Sequence, residues 1–275
     1  MAVSLVLLVG LAIAVVALTR LVVRGIELYA AAGGMSSKAK GQFLGYATSL
    51  PEMVGTIGTA GNGLLAAGLW NIAASNIINW VLFVAAAVYY GRMRALAKRK
   101  FLDEMLFAFA AFCIPLVLSS MQDSAARSPW TAAALFAMFL GYLYLDKKLN
   151  PNPPPSVQAT SSRNTTGEGK SRALALVAFG VLGIVLAGNY LGEEAKVVVE
   201  GMGVPEWAVG WILGFITSLP EMTAFFAVFG SAVGEMAEGD DTDCQENLDS
   251  LAASNMSNLG LIYPIGIAVF LMFGS

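Results

Sequence analysis

Two glutamates, Glu52 and Glu221, occupy the same position in a hexapeptide that occurs twice in strongly apolar sequence. The hexapeptide Thr-Ser-Leu-Pro-Glu-Met covers residues 48–53 and again residues 217–222. A carboxylate inside a membrane helix costs about 2.5–3.5 kcal/mol on insertion scales, so a chain that carries one in each copy is expected to use it. We interpret the pair as ligands of a cation at mid-membrane. The alternative is a structural carboxyl, protonated or hydrogen-bonded between helices.

Hydroxyl and amide side chains recur at helical spacing around each glutamate. Thr48 and Ser49 precede Glu52 by four and three residues, which predicts that all three side chains lie on one helical face. Ser75 and Asn79 are four residues apart in a second repeated segment, residues 73–79, which begins with Ala-Ala-Ser-Asn. The corresponding residues of the second copy are Thr217, Ser218, Ser254 and Asn258. Singly, such residues often only join membrane helices, and this is the alternative for each of them.

Further oxygen ligands can come from the main chain. Pro51 and Pro220 each remove one helical hydrogen bond and leave the carbonyls of Ala47 and Ile216 without their usual partner. A carbonyl freed at membrane depth needs a new partner, and a bound cation is one candidate. The alternative is a plain kink in which a threonine or water satisfies the carbonyl.

Glycines and asparagines beside these motifs predict close helix packing. Gly45 and Gly214 lie three residues before the two Thr-Ser pairs, where they would let an opposing helix approach closely. Asn76 and Asn255 follow the repeated serines and point away from the Ser–Asn face, so we expect them to hold helices together.

The combined set consists of hard oxygen donors, and the chain has no histidine. Such donors suit Ca²⁺, with six to eight ligands at about 2.3–2.6 Å, better than Zn²⁺ or Cu²⁺. Two carboxylates balance one divalent ion or two monovalent ions, which is the equivalence that an ion exchanger requires. Protons are also a candidate counter-ion, because removal from water favours the neutral form of a carboxyl.

The elements that must hold these residues are membrane helices. Of the 275 residues, 57% are hydrophobic and 13% are charged, and the mean hydropathy is +0.68. A soluble domain carries about 25% charged residues, so the composition predicts an all-α integral membrane protein and argues against a nucleic-acid-binding protein. Apolar runs predict about eight transmembrane helices, at about 3–23, 41–67, 70–91, 104–121, 130–146, 172–191, 206–234 and 248–273.

Basic residues predict the orientation in the membrane. With loops sorted alternately, 14 of the 16 lysines and arginines fall on one side, and only Arg127 and Lys196 fall on the other. The positive-inside rule places the first side in the cytoplasm and both termini outside, in what we expect to be the plasma (inner) membrane. Five crossings separate the two glutamate motifs, so the copies run in opposite directions. An inverted repeat of this kind is typical of alternating-access carriers.

The repeats divide the chain into two predicted halves. Residues 1–146 contain the first repeat at about 41–91, and residues 172–275 contain the second at about 206–273. Residues 147–171 are rich in Pro, Ser, Thr and Asn and predict a cytoplasmic linker.

An acidic segment at 235–249 lengthens the second repeat relative to the first. Its acids include Glu235, Glu238, Asp240, Asp241, Asp243 and Glu246. They do not follow the EF-hand pattern. We interpret the segment as a solvated cytoplasmic loop, with the alternative that it concentrates or senses cations.

The two pairs of motifs resemble the cation/Ca²⁺ exchanger superfamily, which includes the Na⁺/Ca²⁺ exchangers. The chain reads A-T-S-L-P-E-M at 47–53 with A-S-N-I-I-N at 74–79, and I-T-S-L-P-E-M at 216–222 with A-S-N-M-S-N at 253–258. The resemblance implies an inverted-repeat exchanger fold with a core of spans 2, 3, 7 and 8, across which spans 1 and 6 move. It implies a ligand set of Glu52 and Glu221 at the centre, with Thr48, Ser49, Ser75, Asn79, Thr217, Ser218, Ser254, Asn258 and the main-chain carbonyls of Gly45 and Gly214 around them.

The chain departs from the family pattern at three points. Ala47 and Ile216 replace the glycine that precedes Thr-Ser in the family, and Asn258 stands where some relatives have an aspartate. Relatives commonly have ten helices, and this sequence predicts eight.

We therefore expect a secondary active antiporter, not an enzyme, that exchanges Ca²⁺ for Na⁺ or H⁺ by alternating access and needs no cofactor. The expected partners are these ions and the lipid bilayer, with no nucleic acid; an oligomer is possible. The alternatives are the same fold transporting Mn²⁺, Mg²⁺ or only monovalent cations, and an inactive or scaffold relative.

Overall fold

The computed structural model describes residues 2–33, 36–120, 123–149, 167–231 and 241–274. Within these ranges the chain consists of helices joined by short turns, without a β-strand. The helices are α1 (Ala2–Gly33), α2 (Ser37–Thr48), α3 (Leu50–Gly61), α4 (Leu65–Tyr89), α5 (Met93–Leu96), α6 (Leu102–Ser120), α7 (Asp123–Ala126), α8 (Pro129–Leu149), α9 (Gly167–Met202), α10 (Glu206–Thr217), α11 (Leu219–Ser231), α12 (Thr242–Ser257) and α13 (Tyr263–Phe273). A 3₁₀ turn precedes α6, and a π-helical turn at Asn258–Ile262 joins α12 to α13.

In the described part of the chain, six helical segments are long and apolar enough to cross a bilayer. They are Val3–Tyr29, Leu65–Tyr89, Arg99–Leu118, Gly169–Met202, Glu206–Gly230 and Thr242–Phe273. The α2–α3 pair and α8 correspond to the other two predicted spans, 41–67 and 130–146. Both are less apolar, because α2 begins with lysines and α8 ends in Asp-Lys-Lys. The predicted all-α membrane fold is confirmed.

Each glutamate motif lies where a membrane-spanning element is divided into two helices. α2 ends at Thr48 and α3 begins at Leu50, while α10 ends at Thr217 and α11 begins at Leu219. The proline of each motif has no N–H, so it interrupts the ladder of the first helix but fits the opening turn of the second. The break places the motif side chains at the junction of two helices.

The first helix of each motif packs against the other half of the molecule, α2 on α12 and α10 on α4. A Cβ atom on Gly214 would lie 2.7 Å from the Cβ atom of Ala74. One on Gly45 would lie 3.0 Å from the Cβ atom of Ala253 and still closer to the carbonyl oxygen of Ser250. The predicted close approach at both glycines is confirmed, and it joins the two repeats to each other.

The two longest helices, α1 and α9, pack along one another, and α9 also contacts α3. The contact with α3 depends on glycines. A Cβ atom on Gly188 would overlap the side chain of Val54, and one on Gly192 would overlap the main chain of Gly58. These two helices flank the predicted core, which the structure builds from α2–α3, α4, α10–α11 and α12–α13.

Some predicted boundaries differ from the observed ones. The second span ends at Gly61, not at residue 67, because the chain turns before Leu65 with Gly63 at a φ of +84°. The first and sixth spans, predicted at 3–23 and 172–191, are longer in the structure, as α1 and α9. Polar residues near their ends continue the helices beyond the apolar runs.

The predicted linker at 147–171 is helical at both described ends. α8 continues to Leu149 and α9 begins at Gly167, and residues 150–166 lie outside the described residues. The division into two halves stays a prediction.

The interpretation of 235–249 as a solvated loop is wrong for its described part, from Asp241 onward. These residues begin α12, and Asp243, Glu246 and Asp249 are buried with 2%, 7% and 1% of their surface exposed. Glu235, Glu238 and Asp240 lie outside the described residues.

Ion pairs explain why three acids at the start of α12, Asp241, Asp243 and Glu246, can be buried. Asp241 Oδ2 lies 2.6 Å from Lys98 Nζ and 2.9 Å from Lys100 Nζ. Arg92 lies 2.7 Å from Asp243, and Lys40 lies 2.7 Å from Glu246. Basic residues near the ends of other helices therefore neutralise the start of α12, a pairing that the local sequence does not reveal.

Candidate cation site

The two motif glutamates are completely buried, and a serine from the following helix of the same repeat binds each of them. Glu52 and Glu221 both have 0% of their surface exposed. Ser75 of α4 donates a hydrogen bond to Glu52 Oε1 at 2.8 Å, and Ser254 of α12 donates one to Glu221 Oε1 at 3.1 Å. Each carboxylate thus has one oxygen fixed within its own repeat.

Asparagine amides connect the two repeats around these serines. Asn258 Nδ2 donates to Ser75 Oγ at 3.3 Å, and Asn79 Nδ2 donates to Ser254 Oγ at 3.4 Å. Ser49 Oγ lies 3.0 Å from Ser254 Oγ, within the same network. An asparagine of each repeat therefore supports the serine that holds the glutamate of the other repeat.

Asn76 and Asn255 form a reciprocal pair at the contact between α4 and α12. Asn76 Nδ2 donates to the Asn255 carbonyl at 3.1 Å, and Asn255 Nδ2 donates to the Asn76 carbonyl at 3.3 Å. Their side-chain oxygens accept from Asn258 and Asn79 at 3.0 and 3.1 Å. The prediction that these two residues hold helices together is confirmed.

Five buried oxygen atoms of the predicted ligands have no hydrogen-bond partner among the described residues. They are Glu52 Oε2, Glu221 Oε2, Asn79 Oδ1, Asn258 Oδ1 and Ser218 Oγ. The amide nitrogens of both asparagines donate to the surrounding network, so the groups left over are electron-rich oxygens. Buried polar atoms are normally paired, and a bound hard cation would satisfy such a set.

The threonines face the glutamates of the opposite repeats. Thr48 lies close to Glu221, and Thr217 lies close to Glu52, while the two hydroxyls donate to Gly45 O and Asn71 Oδ1. The helix break after each threonine ends the continuous face that the spacing predicts, so each residue contacts the other motif. Glu52 also acts electrostatically on Glu221, so the two carboxylates share one environment.

The carbonyls of Gly45 and Gly214 accept hydrogen bonds within their own helices. Gly45 O accepts from Ser49 N at 3.3 Å, from Ser49 Oγ at 2.9 Å and from Thr48 Oγ1 at 3.2 Å. Gly214 O accepts from Ser218 N at 3.2 Å and from Thr217 Oγ1 at 3.5 Å. Their role as ligands, like that of the other ten residues, stays a prediction.

Asn71, a completely buried residue of α4, is not among the predicted site residues. Its Nδ2 donates to the carbonyl of Glu52 at 3.3 Å and to Thr56 Oγ1 at 3.4 Å, and its Oδ1 accepts from Thr217 Oγ1 at 3.3 Å. Asn71 therefore connects the motifs of both repeats. Its place one helical turn before Ser75, on the same face, is the signal that could have identified it.

A family model described as sodium/calcium exchanger protein matches residues 3–146, slightly more than half of the chain. No curated protein matches the chain significantly.

Solved exchanger structures are similar to the whole fold. The crystal structure of the H⁺/Ca²⁺ exchanger CAX is 17% identical with a TM-score of 0.69, and the match covers 98% of this chain and 68% of that chain. A structure of the sodium-calcium exchanger NCX_Mj, soaked with Na⁺ and Sr²⁺, is 20% identical with a TM-score of 0.54. That match covers 97% of this chain and 82% of the other. At these identities the likeness concerns the fold.

Proposed function

Because this chain belongs to the sodium/calcium exchanger protein family, we propose that it is a secondary active antiporter that exchanges Ca²⁺ for Na⁺ or H⁺. In this proposal the ions bind between Glu52 and Glu221, and the two repeats expose them alternately to the two sides of the membrane. The two solved exchangers with the same fold, one of H⁺ and Ca²⁺ and one of sodium and calcium, support this range of ions.

The observation that carries the proposal is the set of five unpaired, buried oxygen atoms around the two glutamates. Two of these atoms belong to carboxylates, so a divalent cation would neutralise the site. The other three supply neutral oxygen ligands of the kind that Ca²⁺ binds. Without a bound cation or proton, the two carboxylates would carry uncompensated charge in a buried position, which is costly.

The packing supports alternating access by movement around a joined core. Each motif helix lies on the opposite repeat, and hydrogen bonds cross between the repeats at Ser75 and Ser254. α1 and α9 lie outside this arrangement, and we propose that they move across it. The glycine contacts of α9 with α3 leave little side-chain bulk to hinder such a movement.

We propose a cytoplasmic location for the basic loops and an external location for both termini, in the plasma (inner) membrane. The distribution of lysine and arginine supports this orientation. Protease accessibility of tags on the two termini, in intact cells and in inverted vesicles, tests it. Cleavage only in inverted vesicles would contradict the proposed orientation.

Transport in proteoliposomes tests the proposed function. We expect radiolabelled Ca²⁺ to accumulate under an imposed Na⁺ gradient or an imposed pH gradient, and the effective gradient identifies the counter-ion. Glu52→Gln and Glu221→Gln should each abolish uptake, because each removes one of the two central charges. Glu27→Gln is a matched control, since Glu27 is a half-exposed residue of α1 that pairs with Arg24.

Two results would contradict the proposal. One is uptake that persists in both glutamine variants with folded protein. The other is a wild-type protein that binds no Ca²⁺ in equilibrium measurements and transports none under either gradient. Parallel assays with Mn²⁺, Mg²⁺ and monovalent ions separate a different substrate from an inactive protein.

A further inference from the structure

We propose that a second divalent-cation site, separate from the one between Glu52 and Glu221, lies among Glu104, Asp146 and Asp249. A carboxylate oxygen from each of these three residues lies within 4.8 Å of one from each of the others. The residues are 1%, 5% and 1% exposed and come from α6, α8 and α12. We call this group the acidic cluster. Three helices thus converge to bury three acids together.

The charges around the acidic cluster do not balance. Lys38 of α2 supplies one positive charge, with its Nζ 2.6 Å from Asp146 Oδ1. Gln42, also on α2, donates to Asp146 Oδ2 at 2.8 Å. Three carboxylates and one ammonium leave a net charge of about −2 when all are ionised, and buried charge of this size needs a counter-charge. One divalent cation would supply it.

A second feature, independent of the charge, also indicates a ligand. Gln245 Nε2 donates to Glu104 Oε1 and to Asp249 Oδ2, both at 3.0 Å, so the two carboxylates lie against the same group. Glu104 Oε2 is buried and has no hydrogen-bond partner among the described residues. A buried carboxylate oxygen in this position is available to coordinate a metal ion.

The spacing of the acids is compatible with an ion of the size of Ca²⁺. Two oxygens that bind one ion can be separated by at most twice the metal–oxygen distance, which is about 5 Å for Ca²⁺ and about 4 Å for Mg²⁺. The acidic cluster can therefore accept Ca²⁺ without a large rearrangement. Gln42 and Gln245 are only partly buried, so the cluster lies close to the protein surface.

Two helices connect the acidic cluster to the first site. α2 carries Lys38 and Gln42 as well as Thr48, and α12 carries Asp249 as well as Ser254. Asp249 and Ser254 are five residues apart, or about 7.5 Å along the helix. An ion in the cluster would fix α2 and α12 against α6 and α8. Occupancy of this site would thus change the affinity of the first one, and the reverse.

Equilibrium binding in a variant that lacks the first site tests the inference. We expect purified Glu52→Gln/Glu221→Gln protein to bind about one Ca²⁺ per chain, and Mg²⁺ more weakly. Adding Asp249→Asn should weaken this binding by about tenfold or more, because one ligand charge is lost. Asp243→Asn is the matched control: Asp243 is also a buried acid of α12, but it pairs with Arg92 outside the cluster.

Three results would overturn the second site. They are no Ca²⁺ binding by the double variant, equal binding with and without Asp249→Asn, and equal losses from Asp249→Asn and Asp243→Asn. If the Asp249 variant does not elute as folded protein, Glu104→Gln replaces it with the same expected loss. Failure of the proposed transport function is a separate observation, since wild-type flux depends on Glu52 and Glu221 and this assay is made without them.

Discussion

The first repeat supports its glutamate helix with side-chain hydrogen bonds, while the second repeat uses apolar packing at the same positions. Thr56 lies four residues after Glu52 and bonds the carbonyl of Gly68, whereas the residue four positions after Glu221 is Phe225. Phe225 is completely buried and stacks edge-on against Phe83. The two motifs are identical, but the residues that pack around them differ between the repeats.

Both repeats have a hydrogen bond between the helix that follows the motif and the next helix, but the donor side chain lies on the first of these helices in one repeat and on the second in the other. In the first repeat the α3 side chain of Thr56 bonds an α4 carbonyl at 3.3 Å. In the second, the α12 side chain of Asn247 bonds the α11 carbonyl of Phe225 at 3.2 Å. Both bonds join the helix that follows the motif to the next one. The contact is therefore kept in both repeats, although the residue that makes it differs.

A third difference concerns the serines that precede the prolines. Ser49 contacts Ser254 and Ser257, whose hydroxyl lies 3.3 Å away. Ser218 has no hydrogen-bond partner among the described residues, and Ile78 stands at the position that corresponds to Ser257. An exchanger with such unequal halves is expected to have inward- and outward-facing states of unequal free energy.

The largest effect is expected where the repeats are most alike, at the two packing glycines. Gly45→Leu and Gly214→Leu should each lower stability by about 1–3 kcal/mol or more, because the new side chain meets the opposite repeat. Thermal unfolding followed by size-exclusion chromatography measures this. Gly141→Ala is the control, since nothing lies within 4 Å of its added Cβ atom. Normal stability of either leucine variant would contradict the close helix contact described at that glycine.

Alanine substitutions of Asn71 and Ser250 should have different effects, although the two residues hold the same position in their repeats. Asn71→Ala removes the bonds to Glu52 and Thr217, and we expect a loss of about 1–3 kcal/mol together with reduced Ca²⁺ flux. Ser250→Ala should change stability by less than about 0.5 kcal/mol, because the Ser250 hydroxyl makes no hydrogen bond with the described residues. Equal effects of the two substitutions would contradict the proposed difference between the repeats.

Alanine substitution should affect mainly Ca²⁺ affinity at Ser218 and mainly stability at Ser49. We expect Ser218→Ala to weaken Ca²⁺ affinity by about three- to tenfold with little change in unfolding temperature, because it deletes an unpaired oxygen. Ser49→Ala should instead cost about 1 kcal/mol of stability, because its hydroxyl has several partners. Titration calorimetry and thermal unfolding measure the two quantities. The reverse pattern would contradict the assignment of Ser218.

The smallest effect is expected from giving Ser218 the kind of hydroxyl partner that Ser49 already has in Ser257. Ile78→Ser supplies a hydroxyl where Ser257 stands in the other repeat, so it should pair with Ser218 and weaken Ca²⁺ affinity by about twofold or less. Ile77→Ser is the neighbouring control and should not change the affinity. Calorimetric titration of both variants gives the comparison, and a larger loss with Ile77→Ser would refute it.

Much of the fold and the centre of the site could be predicted because they depend on local sequence. Apolar runs determine the membrane spans, and the duplicated apolar context predicts that Glu52 and Glu221 are buried, as the structure shows. That Asn76 and Asn255 point away from the Ser–Asn face also follows from helical spacing alone. Each of these features follows from the local sequence together with the geometry of a single α-helix.

The remaining features depend on which helices lie next to each other. The contact of Thr48 with Glu221 arises because α2 packs on the opposite repeat and its helix ends at the motif. The buried acids of α12 could not be recognised, since Lys40, Arg92 and Lys98 approach from distant parts of the sequence. Asn71 was missed because a single amide in an apolar helix usually only joins helices.

The reciprocal amide bonds of Asn76 and Asn255 have a consequence for how the protein can open. They tie the main chains of α4 and α12 together one residue after Ser75 and Ser254, the serines that bond the two glutamates. We therefore expect these two helices to stay together during transport, so that an ion leaves at the perimeter of the bundle. A disulfide that links α4 to α12 near this crossing should leave turnover unchanged.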